Sequence, residues 1–480
     1  MSKSDSSWWA SSTTSARRTA IGASAIGLAL AAVCYFVWMS PANPVSQVRD
    51  SIAEAVANPE AVLQMKAERN RLLSRTVALE SKVDAKNGQI ARMSTQLASA
   101  QKKLEEATGA AKPPVAEAKP PVVKKPAAKP VKAPVKSPAA VAPVAVPTKA
   151  EIVNPGSRYL GLYTSQAPFS WATYDEAATK LSNVPSMVGY FGGWDEGFRA
   201  NAVTRAWDRG MLPMLTWESR PIGSPNSQVD EPEYKLPDIL GDPAAGVAGK
   251  YDDYLHQYAK DIVATGLPLA IRFDHEMNGV WYPWSETTGS GAPINGNNPG
   301  DYVKVWQHVH DIFEAEGANN LVVWTWAPNV INNLPAANQG VDFLRGLYPG
   351  DAYVDWVGVS GYLRPAYKPD NTFTFDYTFG RTLDQLRQIS DKPIILAEVG
   401  ASEVGGQKPK WITSVFDSLA DPKNADIIGL SWFNLAVTSY TEGELATNDW
   451  RIESRPESLA AFRDGILRPE DNFNLTPIAP

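Results

Sequence analysis

Two glutamates, Glu276 and Glu398, interrupt two apolar runs that lie more than a hundred residues apart. The first run is Ile271-Arg-Phe-Asp-His-Glu-Met-Asn278 and the second is Ile394-Ile-Leu-Ala-Glu-Val-Gly400. An apolar run that breaks abruptly at a carboxylate is the pattern of a buried parallel strand whose C-terminal tip enters an active site. Two carboxyls presented in this way, one a protonated acid and the other an ionised nucleophile about 5 to 5.5 Å away, are the apparatus of retaining glycoside hydrolysis. The acid needs a raised pKa, which burial among aromatics such as Trp281, Tyr282 and Trp284 would supply. One such glutamate alone reads as a solvated charge or an ion pair; two at strand ends point to chemistry.

The elements that must position this pair occupy the last two thirds of the chain. From about residue 156 the composition becomes that of a globular domain rich in Trp and Tyr. Eight apolar runs that end in polar or aromatic residues fall at 159–163, 187–191, 212–217, 268–273, 321–326, 354–359, 393–397 and 427–432. Helix-like stretches such as 174–181 and 198–209 separate them. Alternation of this kind predicts an α/β fold, a (β/α)8 TIM barrel over residues 155–470 with a C-terminal tail at 471–480. The two glutamates then stand at the ends of the fourth and seventh strands, nearly opposite across the barrel mouth. A doubly wound open sheet is the competing fold, but no Gly-rich phosphate loop follows any strand.

The first third of the 480-residue chain is different. Residues 20–39 are uncharged and mostly apolar, long enough to cross the roughly 30 Å hydrocarbon core as a helix. Lys3, Arg17 and Arg18 precede this span, so residues 1–19 are expected to be a cytoplasmic tail with the remainder exported to the periplasm or cell exterior. A cleavable secretory signal is the alternative, although Ser40-Pro41-Ala42 is a poor cleavage site. Residues 45–108 carry a helical pattern with an imperfect heptad seam (Leu72, Leu79, Met93; Val83, Ile90, Leu97), which suggests self-association through a coiled coil or else a lone amphipathic helix. Residues 109–154 read as a linker; the stretch 111–150 holds ten prolines and eight lysines and no aromatic residue, a semi-rigid polyproline spacer. The net charge of -7 gives no reason to expect nucleic acid as a partner. The only cysteine, Cys34, lies in the apolar span, and none of His256, His275, His308 and His310 has zinc-protease spacing to a glutamate. No metal or cofactor is needed to explain the chemistry.

Several motifs together resemble glycoside hydrolase family 26. They are Arg272-Phe-Asp-His-Glu-Met-Asn-Gly279, Val323-Trp-Thr-Trp-Ala-Pro-Asn329, the segment from Tyr348 through Trp356 to Gly361-Tyr362, and Ala397-Glu398-Val399-Gly400. The resemblance covers residues 156–468 and none of the N-terminal third. It implies Glu276 as acid/base, Glu398 as nucleophile, retention of configuration, and endo-attack on a β-linked polysaccharide. It also implies that His275 steadies Glu276 and the sugar, that Tyr362 hydrogen-bonds the nucleophile, and that Trp432 is a platform under the sugar at the cleavage site. From the residues alone, His275 could equally be a satisfied core histidine, and Trp281 and Trp432 either core or platform. Trp194, Trp217, Glu218 and Asn329 complete the candidate sugar contacts; Glu218 could instead form a structural ion pair, and Asn278 and Asn329 could cap loops. Leu215-Thr-Trp-Glu-Ser219 looks closer to the family's β-glucanases than to its mannanases, and Ser360 replaces an expected Asp, removing a polar contact. The favoured substrate is a β-1,4-containing or mixed-linkage β-glucan ahead of β-mannan, with xylan third. A non-catalytic carbohydrate-binding or scaffold protein is the competing function, since fold alone does not establish activity.

Overall fold

Eight short strands close into one parallel barrel: β1 (Tyr159–Tyr163), β2 (Met187–Gly193), β3 (Leu212–Glu218), β4 (Leu269–Phe273), β5 (Val322–Trp326), β6 (Trp356–Leu363), β7 (Ile394–Ala401) and β8 (Ile427–Phe433). Each pairs with its neighbour, and β8 returns to β1 with Gly161 opposite Ser431. Helices on the outside cover the sheet, so the strands are buried on both faces, which is why they read as continuous apolar runs. The computed structural model describes residues 146–478 apart from 226–227, 366 and 442–443. The membrane span expected at 20–39, the coiled coil at 45–108 and nearly all of the linker at 109–154 lie outside the described residues. Among the described residues no helix is long and apolar enough to cross a membrane.

The eight expected strands are all present, and two run four residues further than expected. β6 continues to Leu363 and β7 to Ala401, because Ser360 pairs with Glu398 and Tyr362 with Gly400, so the ladder persists through the polar tips. The domain also begins earlier and ends later than the composition suggests. A helix at Lys149–Val153, capped reciprocally by Thr148 and Glu151, docks through buried Ile152 and accepts the Trp356 indole N–H at Val153 O, 3.0 Å. At the other end, Leu475–Pro477 pairs antiparallel with Asn183–Pro185.

The barrel interior and the strand–helix layer divide the side chains by alternation. Tyr163 points inward, where its ring fills the space left by Gly189, at which any Cβ would collide with it; its hydroxyl meets Thr216 Oγ1 at 3.1 Å. Tryptophans on the same strands point outward. Trp217 stacks on Tyr258 at 4.4 Å, Trp324 meets Phe313 at 5.1 Å, and Trp432 meets Phe462 at 5.1 Å. Truncating any of these tryptophans to alanine would cost about 3–5 kcal/mol, so the outer layer helps to hold the strand ends in place.

Candidate active site

At the tip of β4 the chain leaves regular geometry. Asp274 donates its N–H to Trp217 O at 3.0 Å, Glu276 donates to Ala327 O at 2.7 Å, and the Trp284 indole holds His275 O at 2.7 Å. Between these anchors Asp274 and Glu276 take positive φ, +38° and +56°. Non-glycine residues held there store about 1–3 kcal/mol each, which the surrounding bonds must maintain. The effect is to aim the Glu276 carboxyl over the barrel axis.

Arg272, four residues earlier and fully buried, projects into the barrel beneath both carboxyls. Its Nη1 lies 2.5 Å from Glu398 Oε2 and 3.2 Å from Thr216 Oγ1, while its Nη2 lies 3.9 Å from Glu276 Oε1 and also donates to Ser360 Oγ. Tyr362 donates its hydroxyl to the other Glu398 oxygen, Oε1. Glu398 is thus held at both oxygens by donors. Glu276 is held differently: Trp281 Nε1 donates to Oε2 at 2.9 Å, and Oε1 faces the guanidinium only at the limit of an ion pair. Burial pushes the Glu276 pKa up, the charge of Glu398 pushes it further, and Arg272 opposes both. One carboxyl therefore favours its proton while its neighbour sits on a cation.

Aromatic rings wall the site. Phe433 lies 6.1 Å from Tyr362 and 6.3 Å from Phe191, Phe191 lies 6.5 Å from His275, and Trp450 rests 4.8 Å from Tyr362. His275 Nε2 is 3.1 Å from the Tyr282 hydroxyl, and burial with Arg272 and Arg220 nearby holds its pKa well below the usual value, so the imidazole is neutral. Glu218 is paired with Arg220 at 2.9 Å, and the Arg220 guanidinium lies over Tyr282 at 4.9 Å. Such a centre offers one proton donor, one anion and a dry apolar wall, which suits acetal cleavage at a sugar ring.

Residues 231–398 match the family model described as Glycosyl hydrolase family 26. Endoglucanase H of Acetivibrio thermocellus is 34% identical over 287 residues, 58% of this chain and 27% of that protein. Over these residues the barrel is similar to glycosyl hydrolase family 26. A mannan endo-1,4-beta-mannosidase of Bacillus subtilis is 29% identical over 142 residues, 29% of this chain and 33% of that protein. The chain thus spans about a quarter to a third of the length of these curated relatives. Among solved structures, the Bacillus subtilis mannanase man26 is similar at 20% identity and a TM-score of 0.43, covering 69% of this chain and 94% of that one.

Within this barrel, Glu276, Glu398, His275, Tyr362 and Trp281 converge at the mouth. Asn329 reaches the same place: its side chain acts to lower the Glu276 pKa, and its N–H donates to Asn278 Oδ1 at 2.8 Å while Asn278 Nδ2 returns a bond to Asn329 O at 2.8 Å. Asn278 is therefore a loop lock. Glu218 lies 4.0 Å from His275 Nδ1 but is engaged by Arg220, so the ion-pair reading applies.

Three expected sugar contacts are corrected. Trp432, 1% exposed, points outward between Trp411 and Phe462, and its indole donates to Trp450 O at 2.7 Å. The mouth-facing residue is its neighbour Phe433, one step along the alternating strand. Trp217 is outward for the same reason, with Glu218 as its inward neighbour, and Trp194 stacks on Phe273 at 5.9 Å in the same outer layer. Trp432 acts at one remove, by fixing the segment that seats Trp450 against Tyr362. Sequence reasoning gave no role to Arg272, although an arginine inside an apolar strand is a signal, because a buried guanidinium must be paired. Ser360, read as a lost polar contact, supplies one to Arg272.

One buried group beside the site has a consequence for stability. Asp274 accepts both the N–H and the hydroxyl of Ser219 at 2.7 Å, yet burial pushes its pKa up to about 8. A carboxyl whose folded pKa is raised favours folding below its unfolded pKa of about 4, and that contribution is lost as pH rises to about 8. In Asp274→Asn, where the side chain is neutral at every pH, the decline in melting temperature between pH 4 and 8 should flatten. An unchanged decline in thermal melts of the variant would assign it to other groups.

Proposed function

We propose that the barrel is a retaining endo-β-glycanase acting by double displacement on a β-1,4-containing glucan, with β-mannan second. The asymmetry between its two carboxyls carries the assignment: Glu276 is buried and biased toward its proton, while Glu398 is bonded to a guanidinium and a tyrosine hydroxyl. Protonated Glu276 gives its proton to the glycosidic oxygen as Glu398 attacks C1, forming a glycosyl-enzyme ester and releasing the leaving chain. The ester carries no charge. The anion that had raised the Glu276 pKa has then gone, so the pKa falls and the Glu276 carboxylate takes a proton from water, which attacks C1 and frees Glu398. The Trp281 indole keeps Glu276 Oε2 occupied throughout, leaving Oε1 for the proton. The glucan preference rests on the Thr-Trp-Glu sequence at the β3 tip and on the higher identity and longer match to an endoglucanase than to a mannosidase.

The anchor expected at residues 20–39 and the proline-rich spacer extend the proposal: the enzyme is tethered outside the membrane, where it trims an exported polysaccharide. Reducing-end release by the full chain on barley β-glucan, carboxymethyl cellulose, glucomannan, galactomannan and xylan tests the chemistry. Wild type should cleave a glucan best, with activity falling as pH rises through the raised Glu276 pKa. Glu276→Gln should lose about 10²–10⁴-fold and that alkaline limb. Silence of the folded chain on all five polymers would remove the assignment, and recovery of the native chain in the soluble fraction would remove the tether.

A further inference from the structure

Beside the candidate catalytic centre, on the flank formed by the loops after β5 and β6, lies a small cleft of about 20 Å³, on the scale of a small polar group and not of a sugar ring. One wall is Tyr362, whose hydroxyl donates to Glu398, so a single side chain borders both the pocket and the nucleophile candidate. The rest of its polar lining is Asn332, Asn333, Arg364, Lys368, Asn371, Tyr377 and Thr378. Two cations and three amides line it, and no carboxylate does. The nearby Asp370 is not part of the lining and is engaged by the Tyr377 hydroxyl at 2.9 Å.

The loop is held in place without any bound molecule. Tyr367 donates its hydroxyl to Val404 O at 2.7 Å and packs edge-on against Phe373 at 5.0 Å, and Lys368 Nζ donates to Asn332 O at 2.5 Å. Lys368 is therefore fixed at the pocket wall with two ammonium hydrogens still to give. Arg364 is exposed, and among the described residues no hydrogen bond or ion pair engages its guanidinium. Elsewhere at the mouth the cations are spent: Arg272 is committed to Glu398, and Arg220 to Glu218. The three amides offer the donors and acceptors that neutral sugar hydroxyls need. Two cations with no facing anion also suit a carboxylate, which a guanidinium binds through two parallel bonds.

We infer that this cleft takes the carboxylate of an acidic unit of the polysaccharide, a uronic acid or an acidic substituent, whose ring lies outside it beside the cleavage site. The inference rests on the hydrolase proposal and narrows its substrate to an acidic β-glycan.

Binding measures it without turnover. The full chain carrying Glu398→Gln would be titrated calorimetrically with cellotetraose and with cellotetraoses oxidised at C6 of one ring at a time. At least one acidic isomer should bind tenfold or more tighter than the neutral sugar at low salt, with the margin shrinking in 0.5 M salt. Arg364→Ala should bring that ratio close to one, and Lys368→Ala should lower it in part; Arg364→Gln serves as a second variant with similar bulk. A ratio near one for every isomer, or a preference that survives both Arg364 variants, would overturn the subsite. Failure of the hydrolase proposal would show separately, as no reducing-end release by wild type from either neutral or C6-oxidised glucan, while the binding ratio still reports on the pocket.

Discussion

Glu398→Ala is expected to lower kcat on the preferred polysaccharide by about 10⁴- to 10⁶-fold, the scale seen when a covalent nucleophile is removed. The truncation leaves a space where the carboxylate stood and leaves Arg272 with an unpaired guanidinium beside it. Azide is a small anion that fits both. With an aryl β-glycoside, whose leaving group departs with little help, azide should restore turnover by attacking C1 from the face opposite the leaving group. The product is then the α-glycosyl azide. The stereochemistry decides the roles: a β-azide from this variant would mean that the two carboxyls have exchanged functions, because azide standing in for the acid/base attacks the glycosyl-enzyme from the other face. NMR of the azide product distinguishes the two.

Arg272→Met should be the most damaging substitution for the fold and site together. The guanidinium is the one cation within 4 Å of both carboxyls among the described residues, and it is fully buried. Breaking a buried pair by removing one partner costs about 3–5 kcal/mol, since the remaining charge has no solvent to return to. A loss on that scale corresponds to a fall of roughly 10 °C in melting temperature for a domain of this size. Activity should also drop, by about 10²–10³-fold, because the nucleophile loses the donor on Oε2 and the Glu276 pKa loses the opposing cation. Arg272→Lys keeps the charge but not the fork that reaches Glu398, Thr216 and Ser360 at once, so it should fall between. Calorimetric melting with initial rates would test this; wild-type values for Arg272→Met would show that the guanidinium holds neither carboxyl.

Much of this was legible before any coordinates. Eight apolar runs broken at polar tips are enough to recognise a parallel barrel, because strands buried on both sides must be apolar throughout and only their rim ends are free to carry polar chemistry. The same logic located Glu276 and Glu398, and aromatic neighbours in sequence suggested the buried environment that Trp281 and Tyr282 supply. The ends of the domain were less legible: the Lys149–Val153 helix and the Leu475–Pro477 strand are short, and docking on the barrel is what stabilises them.

What the amino-acid order determined by itself was therefore the barrel, its two strand-end carboxyls and the class of chemistry proposed for them. What only the tertiary structure decided was direction. In a strand apolar on both faces, period-two alternation says that Trp432 and Phe433 point opposite ways, as do Trp217 and Glu218, but not which of each pair faces the mouth. Barrel closure made that choice, turning the tryptophans out against the helices and Phe433 and Glu218 in. It also brought Arg272 under two glutamates from distant strands, a pairing set by the barrel's closure and absent from any local pattern in the chain.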